Sequence, residues 1–360
     1  MSSSTTSLQT FLLLAPELVL VAAALFAFLG SAFAGLRSGW LVAVVGIVTA
    51  MMGAGGQPAE GAWVASGGVR IDGFSTFIRW NVLGLGVILA LVQAGDLLRS
   101  AVTRSGGFSG SPSGGLQEVG TCEEAGTFLL LLAGLSLAGV ADDLVLLFMG
   151  LELVSIPTYI LLALKRTDAH GQEASLKYFF LSLVASSLFL YAAVCLYGIG
   201  GSTSLAMIGA RLRSTQEAMV GMSSVLLPVV IGMTIAGAAF RMAAVPMHFY
   251  APDVYEGTSP SNAAMLSTLP KIAGIVVLVR VLSLAIAPAD AANAAVGGAA
   301  VAYLSLFWQV AAVLAAITMT VGNVMALLQH NLRRLLACSS IAHAGYLLVG
   351  IATAAAAAVD

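Results

Sequence analysis

Long apolar runs separated by short polar patches set the pattern of this chain. Ten runs stand out, at roughly residues 11–35, 39–56, 73–97, 124–141, 142–164, 174–198, 223–249, 258–286, 297–328 and 331–359. A half-buried strand alternates apolar and polar residues, and a surface helix shows one apolar stripe. These runs do neither: they are apolar on every side. A lipid-spanning helix needs about 20 such residues, and only helices and closed barrels satisfy their backbone polar groups in lipid. The pattern therefore predicts ten spanning helices, of which the second is short and glycine-rich. Only Asp142 and Asp143 separate the fourth run from the fifth, which predicts a tight hairpin at the surface. TSLAMIGARLRSTQEAMV (203–220) mixes apolar and basic residues. It predicts a short amphipathic helix lying at the interface, with Arg211 and Arg213 on the wet side. SGGFSGSPSGG, within residues 99–123, predicts a flexible loop.

Composition agrees with an all-α polytopic membrane protein. Of 360 residues, 59% are hydrophobic and 9% charged, where a soluble domain carries about 25% charged. A net charge of −2 gives no footprint for nucleic acid. Cys122, Cys195 and Cys338 lie far apart without ligand spacing, and no metal or iron–sulfur motif is present. Cys195 and Cys338 read as small buried apolar residues. MSSSTTSLQT carries no basic residue ahead of the first apolar run, so that run is expected to stay as a helix rather than be cleaved. The ten spans place Arg37, Arg99, Arg104, Lys165, Arg166, Arg333 and Arg334 on one side and Arg70, Arg211, Arg213 and Arg280 on the other. Positive-inside bias makes the first side cytoplasmic and puts the N-terminus outside.

Against this sparse background, charges inside spans carry the functional signal. Glu152, Arg241, Lys271 and His343 fall near the middle of predicted spans, where an ionisable group costs a few kcal/mol or more. Glu152 and Lys271 lie too deep to reach the interface by snorkelling. Lys177 has two readings: an interfacial lysine, or a buried ammonium facing Glu152 on the antiparallel neighbour in a pair with coupled protonation. His343 is either a hydrogen-bonded packing residue or a proton carrier titrating near neutrality. Its neighbours Ser339, Ser340 and Tyr346 either carry a water wire or bond helix to helix. Pro157 and Pro270 flank Glu152 and Lys271, each freeing a backbone carbonyl, either to form a hydrated cavity or to kink the helix.

The stretch FRMAAVPMHFYAPDVYEG (240–257) puts an arginine, two prolines and a histidine at the end of an apolar run. It predicts a helix broken at Pro246, with Arg241 beside the break. Either the break exposes backbone dipoles to a wet centre, or Pro246 only ends a helix and Arg241 is structural.

VPMHFYAPDVYEG, LPKIAG, LELVSIPTYILLALKR followed by EASLKYF, and NLRRLLACSSIAHAGYLLVG together resemble the N-type subunits of bacterial proton-pumping NADH:quinone oxidoreductase (complex I), whose mitochondrial counterpart is NADH dehydrogenase subunit 2. The resemblance runs from about residue 120 to the C-terminus. It implies an antiporter-like fold built from two inverted five-helix repeats, each with a broken helix. On that reading, 1–98 are N-terminal transmembrane helices, 99–123 a loop, 124–286 the first repeat, and 287–360 the start of a second repeat that is incomplete here. It implies a proton path through Glu152, Lys177, Arg241, Lys271 and His343. Lysine is usual in the family where Arg241 stands, and arginine keeps its charge but relays protons poorly. The resemblance also implies a multi-pass protein of the cytoplasmic (inner) membrane that meets the other membrane subunits of complex I. This chain would hold no cofactor; quinone, NADH, flavin and iron–sulfur clusters would belong to partner subunits. A cation/proton antiporter subunit of the Mrp type, a hydrogenase-linked relative, and a non-pumping structural subunit are the alternatives.

Overall fold

The computed structural model describes residues 10–34, 38–57, 63–64, 68–105, 114–165, 168–214, 220–286 and 298–359. Its helices are α1 (Ala15–Ala34), α2 (Gly39–Gly55), α3 (Gly73–Ser105), α4 (Gly114–Val140), α5 (Leu144–Lys165) and α6 (Ala169–Gly200). They continue with α7 (Leu205–Ser214), α8 (Val220–Met242), a 3-10 turn (Met247–Tyr250), α9 (Ala251–Gly257), α10 (Pro260–Leu282), α11 (Gly298–Leu327) and α12 (Leu332–Ala357). Among the described residues, one two-stranded ribbon interrupts the all-α pattern, with β1 (Trp63–Val64) antiparallel to β2 (Val69–Arg70). Among the described residues, nine helices are long and apolar enough to cross a membrane, and α2 is a shorter apolar helix. The ten predicted runs each become a helix for the reason that predicted them: in lipid, a continuous apolar run keeps its backbone bonds within one helix.

Two compact units emerge. The first comprises Met1–Ala141, Met149–Ser175 and Thr258–Leu269. In it, α1 packs on α2 and α4, and α3 packs on α2 and α4. A Cβ at Gly134 would lie 2.7 Å from the Leu153 carbonyl carbon, and one at Gly150 would lie 2.8 Å from the Ala138 nitrogen. Glycine therefore lets α4 and α5 touch backbone to backbone, the usual device where helices meet in lipid.

The second unit comprises Asp142–Phe148, Leu176–Gly257 and Pro270–Asp360. Its main pair is α11 with α12; α9 packs on α12, and α7 and α8 pack on α11. Asn331 caps α12, its side chain accepting from the Arg333 N–H.

Three sequence expectations change in detail. The segment 99–123 is helical at both ends, because α3 runs through Ser105 and α4 starts at Gly114. No glycine or proline stops α3 between Asp96 and Ser105; residues 106–113 lie outside the described residues. Asp142 is buried rather than at a surface hairpin. Its carbonyl accepts from the Leu205 N–H, while Asp143 caps α5 through Val145 and accepts from Thr203 Oγ1 at 2.5 Å. Finally, α7 buries Leu205, Ile208 and Leu212 as an amphipathic helix should, and Arg211 is exposed as expected. Arg213 is not on the wet side: it donates to the carbonyls of Leu284 and Ile286 just beyond α10, at 2.8 and 3.2 Å. Burial holds its guanidinium below the usual arginine range.

Candidate functional site

The predicted helix break is present, and the N–H groups of Ala243, Ala244 and Val245 within it are each satisfied. At the end of α8, Ala243 adopts a left-handed conformation with φ 57°. Ala244 N–H donates to Ala239 O at 2.7 Å and Ala243 N–H to Phe240 O at 2.9 Å, the paired bonds of a Schellman cap. The Phe240 carbonyl also accepts from the Tyr250 hydroxyl at 2.8 Å. Val245 N–H donates to Thr318 Oγ1 on α11 at 3.2 Å. Pro246, reached through a cis peptide bond, has no N–H to satisfy. The rings of Tyr178, Phe240 and Tyr250 pack over the break at centroid distances of 4.8 to 5.8 Å. The chain then resumes as α9, whose Asp253, Tyr255 and Glu256 make polar contacts with α6 and α12.

Arg241 stands in the last turn of α8 and is 4% exposed. A cation there meets the negative end of the helix dipole. Its Nη2 approaches Ser186 Oγ on α6 at 3.5 Å.

Lys271 follows Pro270 in the middle of α10 and is 6% exposed. Its ammonium donates to the Ser340 hydroxyl at 2.5 Å and to the Ser340 carbonyl, both on α12. Ser340 Oγ in turn lies 3.3 Å from the Tyr255 hydroxyl. Of the two roles open to Ser340, the geometry gives helix-to-helix bonding, directed at a lysine.

The Lys177 ammonium is half-buried and pairs with Asp253 at 2.7 Å. Asp253 also receives Arg334 Nη2 at 2.8 Å, and Arg334 Nη1 meets Glu256 at 2.9 Å. Asn331 Nδ2 donates to the other Glu256 oxygen at 2.8 Å. The quoted strings EASLKYF, PDVYEG and NLRRLL thus meet in one charge network on α6, α9 and α12. Sequence reasoning passed over Asp253, Glu256 and Arg334 as partners, because a pairing across α6, α9 and α12 leaves no spacing signal.

Glu152 is half-buried on α5 ahead of Pro157. It belongs to the first unit, whereas Lys177, Arg241, Lys271 and His343 belong to the second. His343 is exposed on α12, with its ring 5.5 Å from that of Tyr346.

The first unit contains a buried ion pair that the sequence reading missed. Glu17 on α1 and Arg79 on α3 are 4% and 2% exposed. Arg79 Nε and Nη2 reach the two Glu17 oxygens at 2.8 Å each. Arg79 also donates to Gln57 Oε1 at 2.6 Å and to the Leu13 carbonyl at 2.8 Å. Ser136 on α4 donates to Glu17 at 2.5 Å. The available signal was one acid and one base, each set in an otherwise apolar run.

A polytopic helical membrane protein with a capped break and buried cations beside it is the class this geometry defines. A family model described as NADH:quinone oxidoreductase/Mrp antiporter, TM, matches residues 141–360, and the chain belongs to that family. It is similar to NADH-quinone oxidoreductase subunit N of Anaeromyxobacter sp. (strain Fw109-5), 36% identical over 303 residues that cover 82% of this chain and 54% of that protein. Among solved structures it is similar to a chain of respiratory complex I from Thermus thermophilus, with TM-score 0.66, 27% identity, and coverage of 94% of this chain and 64% of that one. An archaeal membrane-bound sulfane sulfur reductase shares the fold, with TM-score 0.72 and 21% identity over 95% of this chain and 65% of that one. The chain spans about half the length of the curated relatives it matches, 51 to 54% for three of them.

Proposed function

We propose that this chain is a membrane subunit of a proton-translocating NADH:quinone oxidoreductase. Protons move through Glu152, Lys177, Lys271 and His343, with Arg241 as a fixed charge that biases the path, and the redox chemistry takes place in other subunits. Quinone, NADH, flavin and iron–sulfur clusters belong to those partners. The chain sits in the bacterial inner membrane with its N-terminus outside. Among the described residues no group of His, Cys, Asp and Glu is placed to hold a metal.

One observation carries this reading: Lys271, 6% exposed in the middle of an apolar helix, is held by the Ser340 hydroxyl and carbonyl. A buried ammonium is costly unless hydrogen-bonded, and ionisable groups within spans mark ion pathways. Lysine, unlike arginine, changes protonation readily when buried.

The test is proton pumping by the assembled complex in proteoliposomes, with Lys271→Ala compared at equal assembly. Translocation is expected to fall sharply in the variant. Unchanged pumping by an intact complex makes the chain a structural subunit. The matching family also includes Mrp antiporters by its own description. Running the same vesicles with and without sodium separates the readings, since an antiporter subunit needs the cation and a proton subunit does not.

A further inference from the structure

Helix α9 makes two contacts whose consequences meet. Through Asp253 it holds the Lys177 ammonium at 2.7 Å. Through Tyr255, two residues on, it reaches Ser340 Oγ at 3.3 Å, and that oxygen accepts from Lys271 at 2.5 Å. We infer that Ser340 and Tyr255 report the protonation state of Lys271 to α9, and that α9 thereby couples Lys271 to the Lys177–Asp253 pair. The inference rests on the proton-path reading above and adds two positioning residues to it.

The chemistry follows from the donors available. A lysine ammonium donates and cannot accept, while serine and tyrosine hydroxyls do both. With Lys271 charged, Ser340 Oγ accepts from it, and the Ser340 O–H turns toward Tyr255 Oη. When Lys271 gives its proton to a water on the path, its nitrogen gains a lone pair. The Ser340 O–H then turns to that lone pair, and the Tyr255 O–H donates to Ser340 Oγ. One N–H bond breaks and one O–H bond forms on the water. Both hydroxyls stay neutral and only reverse their direction.

The reversal acts on a short, doubly held helix. The seven residues of α9 are Ala251–Gly257, and Tyr255 is 7% exposed. On its charged face Asp253 divides between Lys177 and Arg334, and Glu256 holds Arg334 and Asn331. Arg333 reaches the Glu256 carbonyl at 3.4 Å. Changing what Tyr255 donates to changes the hold of α12 on α9, and with it the division of Asp253 between two cations.

The test uses the assembled complex in proteoliposomes, reading protons moved per NADH oxidised and the infrared band of the tyrosine C–O stretch during turnover. Ser340→Ala and Tyr255→Phe are each expected to lower the proton ratio by about twofold to tenfold. Ser340→Thr, which keeps the hydroxyl, restores it. The tyrosine band is expected in the parent and in Ser340→Thr and lost in Ser340→Ala. Adding Tyr255→Phe to Lys177→Ala lowers the ratio no further. The inference is overturned if Tyr255→Phe leaves the ratio unchanged while Lys271→Ala abolishes translocation, or if Tyr255→Phe and Lys177→Ala add independently. If Lys271→Ala itself changes nothing, the proton-path reading falls and the inference falls with it. Tyr255→Phe removes a single oxygen, so it carries the test should Ser340→Ala fail to assemble.

Discussion

Ala243 is the residue on which the break turns. A left-handed backbone at φ 57° costs a residue with a Cβ roughly 1–2 kcal/mol, and glycine is the usual occupant of this position in a Schellman cap. Alanine holds it because the N–H groups of Ala243 and Ala244 and the Phe240 carbonyl are all engaged. Ala243→Gly is therefore expected to stabilise the protein, by about 0.5–1 kcal/mol once the added freedom of the unfolded chain is counted. Ala243→Val should destabilise it by more than the glycine gains, since a β-branched residue fits this conformation worst. Thermal unfolding of the purified protein in detergent checks both signs. A fall in midpoint for the glycine variant would show that the cap does not need its left-handed turn. Arg241 was legible in the sequence as a charge beside a proline. The cap was not, because nothing in Ala243–Ala244 announces a turn that glycine normally marks.

At the scale of elements, the two buried charge systems were legible to very different degrees. Lys271 sits alone in LPKIAG, and its depth in an apolar run was enough to single it out. Its actual partner, Ser340, was visible only as one hydroxyl among several. Glu17 and Arg79 lie nearer the ends of their runs, so each alone passes for an interfacial residue. Only the packing of α1 and α3 with α2 and α4 brings them together at 2.8 Å, and a contact between residues this distant in sequence leaves no periodic trace. Their network is fully used: both carboxylate oxygens, Gln57, the Leu13 carbonyl and Ser136 are engaged. Breaking a buried pair by removing one partner costs about 3–5 kcal/mol, whereas replacing both by apolar residues is often close to neutral. Arg79→Ala is thus expected to lower stability by about that amount, and Glu17→Met with Arg79→Met to recover most of it. Detergent unfolding of the single and double variants measures the difference. Equal losses in both would mean that the network holds the helices by its hydrogen bonds rather than merely satisfying its own charges.

Sidedness belongs to the whole chain and is set by the charges on its loops. Ten crossings among the described residues, counting α2 and treating Leu226–Gly257 as one broken span, would alternate the loops between two faces. On the sequence expectation the basic residues divide unevenly, with Arg37, Arg99, Arg104, Lys165, Arg166, Arg333 and Arg334 expected on one face and Arg70, Arg211, Arg213 and, at a helix end, Arg280 on the other. Arg213 and Arg334 weaken the raw tally, since each is engaged within the protein, with the carbonyls beyond α10 and with Asp253 and Glu256. Removing one from each side leaves the bias unchanged in sign, so the loop before α6 should be cytoplasmic and α7 outside. Asp168 and Ala210 are exposed positions in those two segments. Cys122, Cys195 and Cys338 are buried, so the native thiols give little background. Asp168→Cys is expected to resist a membrane-impermeant thiol reagent in intact cells and to react in inverted vesicles, with Ala210→Cys doing the reverse. The opposite pattern would invert the whole chain. It would also move the Lys177–Asp253–Arg334 network, at the cytoplasmic ends of α6 and α12 in this orientation, to the outer face, and with it the side from which a proton would enter the proposed path.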